Sequence, residues 1–426
     1  MERIIYKNNN PIEVNSMKQA LFIVDHFPPS FAPRMGYLAK YLKTLGWSAQ
    51  VFSIRHPSKI NKFDNLVGYV EAEEVAMPTY CQHHGADRLI IEIGGRFLGG
   101  CTWSIYDQKM YKYIMKSIAD KKFDIVVCST ASFFPMNCAY KVSQKLNIPI
   151  VLDFRDIYEQ DPYVYSTKGL GGLLRKAQIK QRNKLIGKSY ATTTISEWHR
   201  EYLSQHNANT HLIYNGFDEE LFSPRSEERT SQFTITYTGS VAPTDCVGSR
   251  DPELFFHAIQ NLHNESKIEP ETFCINFYTD NVSRIYLAKT AARYNIEDYV
   301  HIYDWVSAAE IPNILAHSNV LLILVAAQNT HGVMTTKLYE YMAMKRQVLC
   351  VPEKDGPIGK IIAQSKSGYT FDNEADIKNY LEESYNKWKA LGCLPCNADW
   401  QYVKQFSREL QAKQFVEIFD KAISQS

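Results

Sequence analysis

TTKLYEYMAMKRQVLCV, residues 335 to 351, is the stretch whose reading decides the fold. Helix formers (Leu338, Glu340, Met342, Ala343, Met344) come first, and the apolar run Val348-Leu349-Cys350-Val351 follows. The pattern is a short helix leading into a buried strand. Lys337 and Glu340 stand one helical turn apart and share a face. A helix that opens on Thr335-Thr336 presents uncommitted backbone N–H groups and hydroxyls to an anion, with the Lys337 cation beside them. A carboxylate one turn on only accepts hydrogen bonds, which suits a vicinal diol that donates two. The plainer alternative is a capped amphipathic helix with a Lys/Glu pair, and this stretch alone does not choose between them.

Outward from it, the chain repeats strand, loop and helix twice over. Ala20 to Val24 is a buried parallel-type strand. It runs into the proline-stiffened loop Asp25-His26-Phe27-Pro28-Pro29-Ser30-Phe31-Ala32-Pro33-Arg34, and a helix carrying Met35, Leu38, Ala39, Leu42 and Leu45 follows, stopping at Gly46. That loop lies at the carboxyl end of its strand, where doubly wound sheets bind ligands. From about 63 to 102 the pattern breaks into loops with short elements. Regular elements resume with a helix from Ile105, strands at Phe123–Cys128, Pro149–Asp153, Tyr190–Ile195 and His211–Tyr214, and a basic helix over 169–188. Ser196 caps a helix that begins at Glu197. Ser223 to Gln232 is polar and contains a proline, and marks the domain boundary. A second series has strands near 233–238, 273–279, 299–302, 319–325, 347–351 and 368–371. A closing helix over about 404–424 places Phe406, Leu410, Phe415, Ile418 and Phe419 on one side. The expected layout is α/β: a doubly wound domain over 1–222, a linker over 223–232, a second such domain over 233–403, and a closing helix packing back on the first.

Composition agrees. At 426 residues the chain is too long for one ordinary core, and 45% apolar with 22% charged residues is typical of soluble globular proteins. The longest apolar run, Val320 to Ala327, is far too short to span a bilayer, and the polar NNNPIEVNS near the start does not read as a secretory signal. Nine cysteines, an odd and scattered set, fit reduced thiols in a cytoplasm. Neither Cys393-Leu394-Pro395-Cys396 nor Cys81-Gln82-His83-His84 has partners at a metal spacing. Through Phe222 there are 27 basic and 21 acidic residues, a charge of +6, which leaves −5 for the remainder. A basic first half suits an anionic partner. The helix over 169–188 contributes Arg175, Lys176, Lys180, Arg182, Lys184 and Lys188 with no acidic residue. It reads as a solvated helix or as a contact for anionic lipid. Nucleic acid is disfavoured, since no compact basic-aromatic module is present.

Thr236-Tyr237-Thr238-Gly239-Ser240 ends the first strand of the second half, and Arg250-Asp251-Pro252 opens the next helix. Glycine at a strand end permits close approach, and Ser240 N–H with Arg250 can grip a phosphate. A plain βα turn with a surface arginine is the alternative. Neither a GxGxxG fingerprint nor a Walker A sequence occurs.

Five motifs now stand in order. They are Pro28-Pro29 with Arg34, Leu38-Ala39-Lys40-Tyr41-Leu42 and Gly46-Trp47; Asp153-Phe154-Arg155-Asp156; Ile213-Tyr214-Asn215-Gly216-Phe217-Asp218; Tyr237-Thr238-Gly239-Ser240 with Arg250-Asp251-Pro252; and Lys337-Leu338-Tyr339-Glu340-Tyr341-Met342-Ala343. Together they resemble the family 4 bacterial glycosyltransferases of the GT-B fold, in the branch that builds capsule, O-antigen and exopolysaccharide. The resemblance spans Ala20 to the final helix. It implies two Rossmann-like domains facing a cleft, a nucleoside-diphosphate sugar on the second, and a glycan or polyprenyl-linked acceptor on the first. It implies donor contacts from Gly239, Ser240, Arg250, Thr335, Thr336, Lys337 and Leu338, with Glu340 accepting from the ribose hydroxyls. The turn Tyr303-Asp304-Trp305-Val306 resembles the base-contacting turn, with Trp305 either stacking on the base or packing inside.

On the acceptor side the resemblance points to Pro33, Arg34, Arg155 and His331. Transfer with retention at the anomeric carbon is implied, with no protein nucleophile, cofactor or metal, and the sequence has no Asp-x-Asp motif. Arg250 and Lys337 would stabilise the departing diphosphate. Asp156, and behind it Asp25 and His26, would orient or deprotonate the acceptor hydroxyl, although Asp153 and Asp156 serve equally as capping residues. Closure about the linker would exclude water. Two departures stand out. Gly332 occupies the position of the family's first glutamate, eight residues before Glu340, which leaves the sugar contact unassigned, with His331 as a candidate. Arg155-Asp156 replaces a His-Asp pair. An epimerase of the same fold, or a non-catalytic sugar-nucleotide-binding protein, are the competing readings. The expected location is the cytoplasm, with the inner face of the membrane as the docking surface.

Overall fold

A computed structural model describes residues 17–29, 32–55, 63–76, 105–130, 133–160, 168–224, 229–244, 249–326 and 332–425. They form two compact units: the described residues up to Tyr214 with 332–333 and 408–425, and those over 215–326 with 334–407.

In the first unit the strands are β1 (Lys18–Ile23), β2 (Trp47–Ile54), β3 (Glu71–Val75), β4 (Ile125–Thr130), β5 (Ile150–Phe154), β6 (Ala191–Thr194) and β7 (Thr210–Leu212). They lie in the order β3-β2-β1-β4-β5-β6-β7, all parallel. A strand buried on both faces must be apolar throughout, with successive side chains entering opposite layers. Ala20 and Phe22 of β1 join one core cluster with Ile125 and Val127, while Leu21 and Ile23 join the other with Val126 and Cys128. The chain reverses direction across the sheet between β1 and β4, which puts a ligand crevice at their carboxyl ends.

The second unit repeats the scheme with β8 (Phe233–Thr238), β9 (Phe273–Tyr278), β10 (Val300–Tyr303), β11 (Val320–Leu324), β12 (Gln347–Val351) and β13 (Gly368–Thr370). The order is β10-β9-β8-β11-β12-β13, again all parallel. Its reversal falls between β8 and β11. The expected doubly wound α/β class is therefore present twice.

Three details differ from the sequence reading. β3 is a strand the sequence reading did not place, one short element within the stretch read as loops with short elements. Its Glu73 reaches Gln50 at 2.9 Å and Tyr113 at 3.0 Å, so polar pairs hold an edge strand that no apolar alternation announces. The first unit ends at Tyr214 rather than at 222: Phe217 N–H donates to Phe406 O at 3.2 Å, and its ring lies 5.9 Å from Trp400. The closing helix is two helices, Trp400–Lys404 and Arg408–Ser424. Phe406 packs on Tyr339 in the second unit, Leu410 is exposed, and Phe415, Ile418 and Phe419 enter the first unit's core. There Asp420 accepts from Lys18 at 2.6 Å and from Trp47 at 3.1 Å. That last helix returns to the first unit as expected.

Candidate functional site

The strand-ending glycine is the centre of the second unit's polar cluster. Gly239 has φ +136°, in the region that favours glycine, and its N–H donates to Tyr278 O at 2.8 Å. A Cβ there would lie 2.2 Å from Lys337 Nζ, so the lysine of the helix Thr336–Ala343 rests directly on this turn. The same ammonium stands 4.5 Å over the Tyr237 ring and 3.4 Å from its hydroxyl. Burial, and after it the charge of Arg250, press the Lys337 pKa down to about 7, against the opposing pull of Glu340. Three sequence-predicted charges thus act on one another. Thr335 is the N-cap residue and makes no side-chain cap bond. Leu338 is fully buried and anchors the helix in the core.

Buried tyrosines hold the turn in place. Tyr237 donates to Ser240 O at 2.8 Å, and Thr238 N–H donates to the Tyr341 hydroxyl at 3.2 Å. Burial opposes ionisation of Asp280, but hydrogen bonds from Ser240 and Ser283 hold its carboxyl below the ordinary range, and it caps the helix Asn281–Arg293. Ala242 and Arg250 pair backbone to backbone across the following loop, leaving the Arg250 residue exposed. Asp251 fixes the neck by accepting from Thr244 at 2.7 Å and Tyr286 at 2.8 Å. Trp305 is 45% exposed, so the inward-packing alternative does not hold. Beside it Tyr303 stacks on Tyr278 at 4.8 Å.

In the first unit the strand-end acids separate into different roles. Asp153, fully buried, accepts from Arg34 Nε and Nη2 at 3.1 Å, Ser129 at 2.7 Å and Thr193 at 2.7 Å. Arg34 also donates to Ile213 O at 2.8 Å and Tyr214 O at 2.9 Å, and lies 5.1 Å over Phe415. Its expected acceptor role is therefore corrected: Arg34 is a buried strut, 4% exposed, tying its helix to β5 and to the chain after β7. Pro33 opens that helix. Arg155 is engaged as well, through Nη2 to both Asp25 carboxylate oxygens at 2.6 Å, and Asp25 also accepts from His26 N–H at 2.7 Å. Asp156 differs. Burial lifts its carboxyl above the usual value, opposed by a 2.7 Å bond from Gln160 and by Arg155.

Residues 34–221 match the family described as Glycosyltransferase Family 4. Over that stretch the chain is similar to a family 4 glycosyltransferase domain. Solved structures with the same fold include Anabaena HepE in complex with UDP and glucose, 13% identical, with 95% of this chain and 100% of that one covered at a TM-score of 0.66. Sucrose-phosphate synthase from Thermosynechococcus elongatus is 12% identical over 96% of this chain and 100% of that one, TM-score 0.65. The lipopolysaccharide outer core galactosyltransferase WaaB is 12% identical over 95% and 99%, TM-score 0.57. Identities this low establish the fold alone, the two-domain GT-B architecture. No curated protein matches the sequence.

Gly332, where the resemblance would place a glutamate, is tightly enclosed. Gly332 adopts φ +67°, and a Cβ on it would lie 2.6 Å from Ser196 Oγ and 3.2 Å from His199 Nε2. His331 lies outside the described residues, as do Cys81, His83 and His84. His199 itself escaped the sequence reading. It is fully buried, its ring nitrogens have no hydrogen-bond partner among the described residues, and burial lowers its pKa to about 4. Its only sequence signal was its place three residues after the cap Ser196, whose hydroxyl accepts from His199 N–H at 3.2 Å.

Proposed function

We propose that the glycosyltransferase moves a sugar, with retention at the anomeric carbon, from a nucleoside-diphosphate sugar to a glycan or lipid-linked glycan in surface polysaccharide or glycoconjugate synthesis. The observation that carries this reading is the Lys337 ammonium seated on the Gly239 turn, with Arg250 and Glu340 in electrostatic reach. A cation pair over an open backbone turn suits a diphosphate, and a carboxylate one turn along suits the ribose diol. The fold's UDP-bound relative HepE and the galactosyltransferase WaaB support a UDP-sugar and a surface glycan as first candidates.

In the proposed step the bond from the anomeric carbon to the phosphate oxygen breaks, and its electron pair stays on the diphosphate. Arg250, Lys337 and the N–H groups opening the helix Thr336–Ala343 stabilise that charge as it grows. The acceptor hydroxyl oxygen bonds to the anomeric carbon on the face the phosphate leaves. Asp156 takes part as the group that orients or receives the hydroxyl proton, since burial raises its basicity. Trp305 offers an exposed ring to the base.

The acceptor is proposed to wait at an anionic bilayer. Lys176, Lys180 and Lys184 recur every fourth residue on the exposed side of the helix Gly169–Ile186, where Leu173 is 62% exposed. Arg182 is not part of that surface. It is fully buried in a two-pronged pair with Glu159, both contacts 2.8 Å. Among the described residues no helix is long and apolar enough to cross a membrane.

The test is incubation with a panel of UDP- and GDP-sugars, following nucleotide release with and without lipid-linked acceptor. Acceptor-dependent release supports the reading. A new sugar nucleotide formed from donor alone would mean an epimerase, and binding without release a non-catalytic protein.

A further inference from the structure

A groove of about 320 Å³ lies on the second unit, formed by edge strand β13 and the helix Glu374–Leu391. Asp376, Asn379, Tyr380, Glu383, Ser384 and Lys387 line it. Their spacing of three and four residues makes them one stripe of that helix. Tyr369 and Phe371, two apart at the strand's end, supply the facing wall. Their rings are parallel within 3° at 6.2 Å, and Tyr380 approaches Tyr369 at 5.1 Å. Tyr369 is 52% exposed, an amphipathic ring offered to solvent in a concave place.

The polar lining is rich in acceptors. Asp376 and Glu383 carry carboxylates, which accept only. Gln347 spends its amide N–H₂ on Pro395 O at 2.8 Å, and its carbonyl oxygen is without a partner among the described residues. An aromatic wall facing a row of acceptors selects a ligand with a C–H face on one side and several hydroxyl donors on the other. Two carboxylates against the single Lys387 ammonium disfavour a phosphate or a nucleotide. The volume is at the small end of ligand sites, roughly 300–1,000 Å³.

We infer that this groove is a saccharide subsite, holding a neutral sugar unit of a glycan by stacking on Tyr369 and Phe371 and by hydroxyl donation to Asp376 and Glu383. It is separate from the Lys337–Gly239 cluster, which grips a diphosphate and not a neutral glycan. Such a subsite gives a polymer-building enzyme a second hold on a long acceptor, adding to affinity by effective concentration.

The experiment is saturation-transfer difference NMR on the full chain with millimolar maltotriose, chitotriose and methyl β-galactoside as probes. At least one probe should give ring-proton signals that fall at least fivefold in Tyr369→Ala and at least twofold in Glu383→Gln, both exposed-groove changes that leave the thermal midpoint in place. Glu340→Ala should keep the wild-type signal while losing nucleotide binding. The inference is overturned by absence of signal from all three probes, by equal signals in wild type and Tyr369→Ala, or by loss of the signal in Glu340→Ala, which would put the sugar in the donor site instead.

Discussion

Lys337 carries the clearest consequence of burial at a single residue. Its pKa of about 7 means that half of the ammonium is lost near neutral pH before any donor arrives. A bound diphosphate favours the charged form, so binding above pH 7 takes up a proton and affinity falls as pH rises through 7. Titration calorimetry at pH 8 in buffers of different ionisation enthalpy should show that uptake, while proton-neutral binding would remove Lys337 from the phosphate site. The sign for folding is the reverse: the unfolded chain binds the extra proton between pH 7 and the ordinary lysine value, so Lys337 makes the ligand-free protein more stable as pH rises over that interval. Arg34 makes a different prediction. Arg34→Ala strands the fully buried Asp153 carboxylate, and a broken buried pair costs about 3–5 kcal/mol. Urea unfolding should show that loss, whereas a stable variant with impaired transfer would restore the acceptor role first assigned from sequence. The sequence identified Arg34 as significant but not its role, because burial depends on Phe415, nearly 400 positions further on.

Among the elements, the turn after β8 and the helix Thr336–Ala343 work as one device. Gly239→Ala places a methyl where Lys337 Nζ lies, at a φ of +136° that alanine disfavours. Donor affinity should fall at least tenfold, and a crystal structure should show the ammonium displaced. Unchanged affinity would mean that the lysine's seat on the turn has no part in binding. Both elements were legible in TTKLYEYMAMKRQVLCV and TYTGS, since helix formers, apolar β runs and a strand-end glycine are local signals. β3 was not, because EAEEV is held by polar pairs with its neighbours rather than by an apolar pattern. The break in the closing helix was equally silent. Residues 405–407 hold neither glycine nor proline, and the interruption accompanies Phe406 O accepting from Phe217. His199 carries a further prediction. With a pKa of about 4 against an ordinary 6.5, it costs stability as pH falls from 6.5 toward 4, since only the unfolded chain takes its proton there. His199→Gln should flatten that part of the acid limb, and an unchanged slope would show that other groups govern it.

For the whole molecule, two doubly wound sheets were legible because each β-loop-α unit declares itself within about thirty residues, and such units have few ways to assemble. The expected division of labour rests on motif order alone: the +6 of the first half suits an anionic partner there and does not point to the diphosphate proposed on the −5 half. If the exposed lysines of the helix Gly169–Ile186 dock on lipid, flotation with anionic vesicles should be lost at high salt and in Lys176→Glu/Lys180→Glu. Salt-insensitive or absent flotation would leave that helix merely solvated. The central claim is that Glu340, Lys337, Arg250 and the Gly239 turn form the donor site. The most direct measurement is equilibrium binding of UDP-glucose and UDP-galactose to the wild type, Glu340→Ala and Arg250→Ala, with thermal unfolding alongside. We predict binding by the wild type and at least tenfold weaker binding by each variant, with unfolding temperatures nearly unchanged; wild-type affinity in both variants would contradict the assignment.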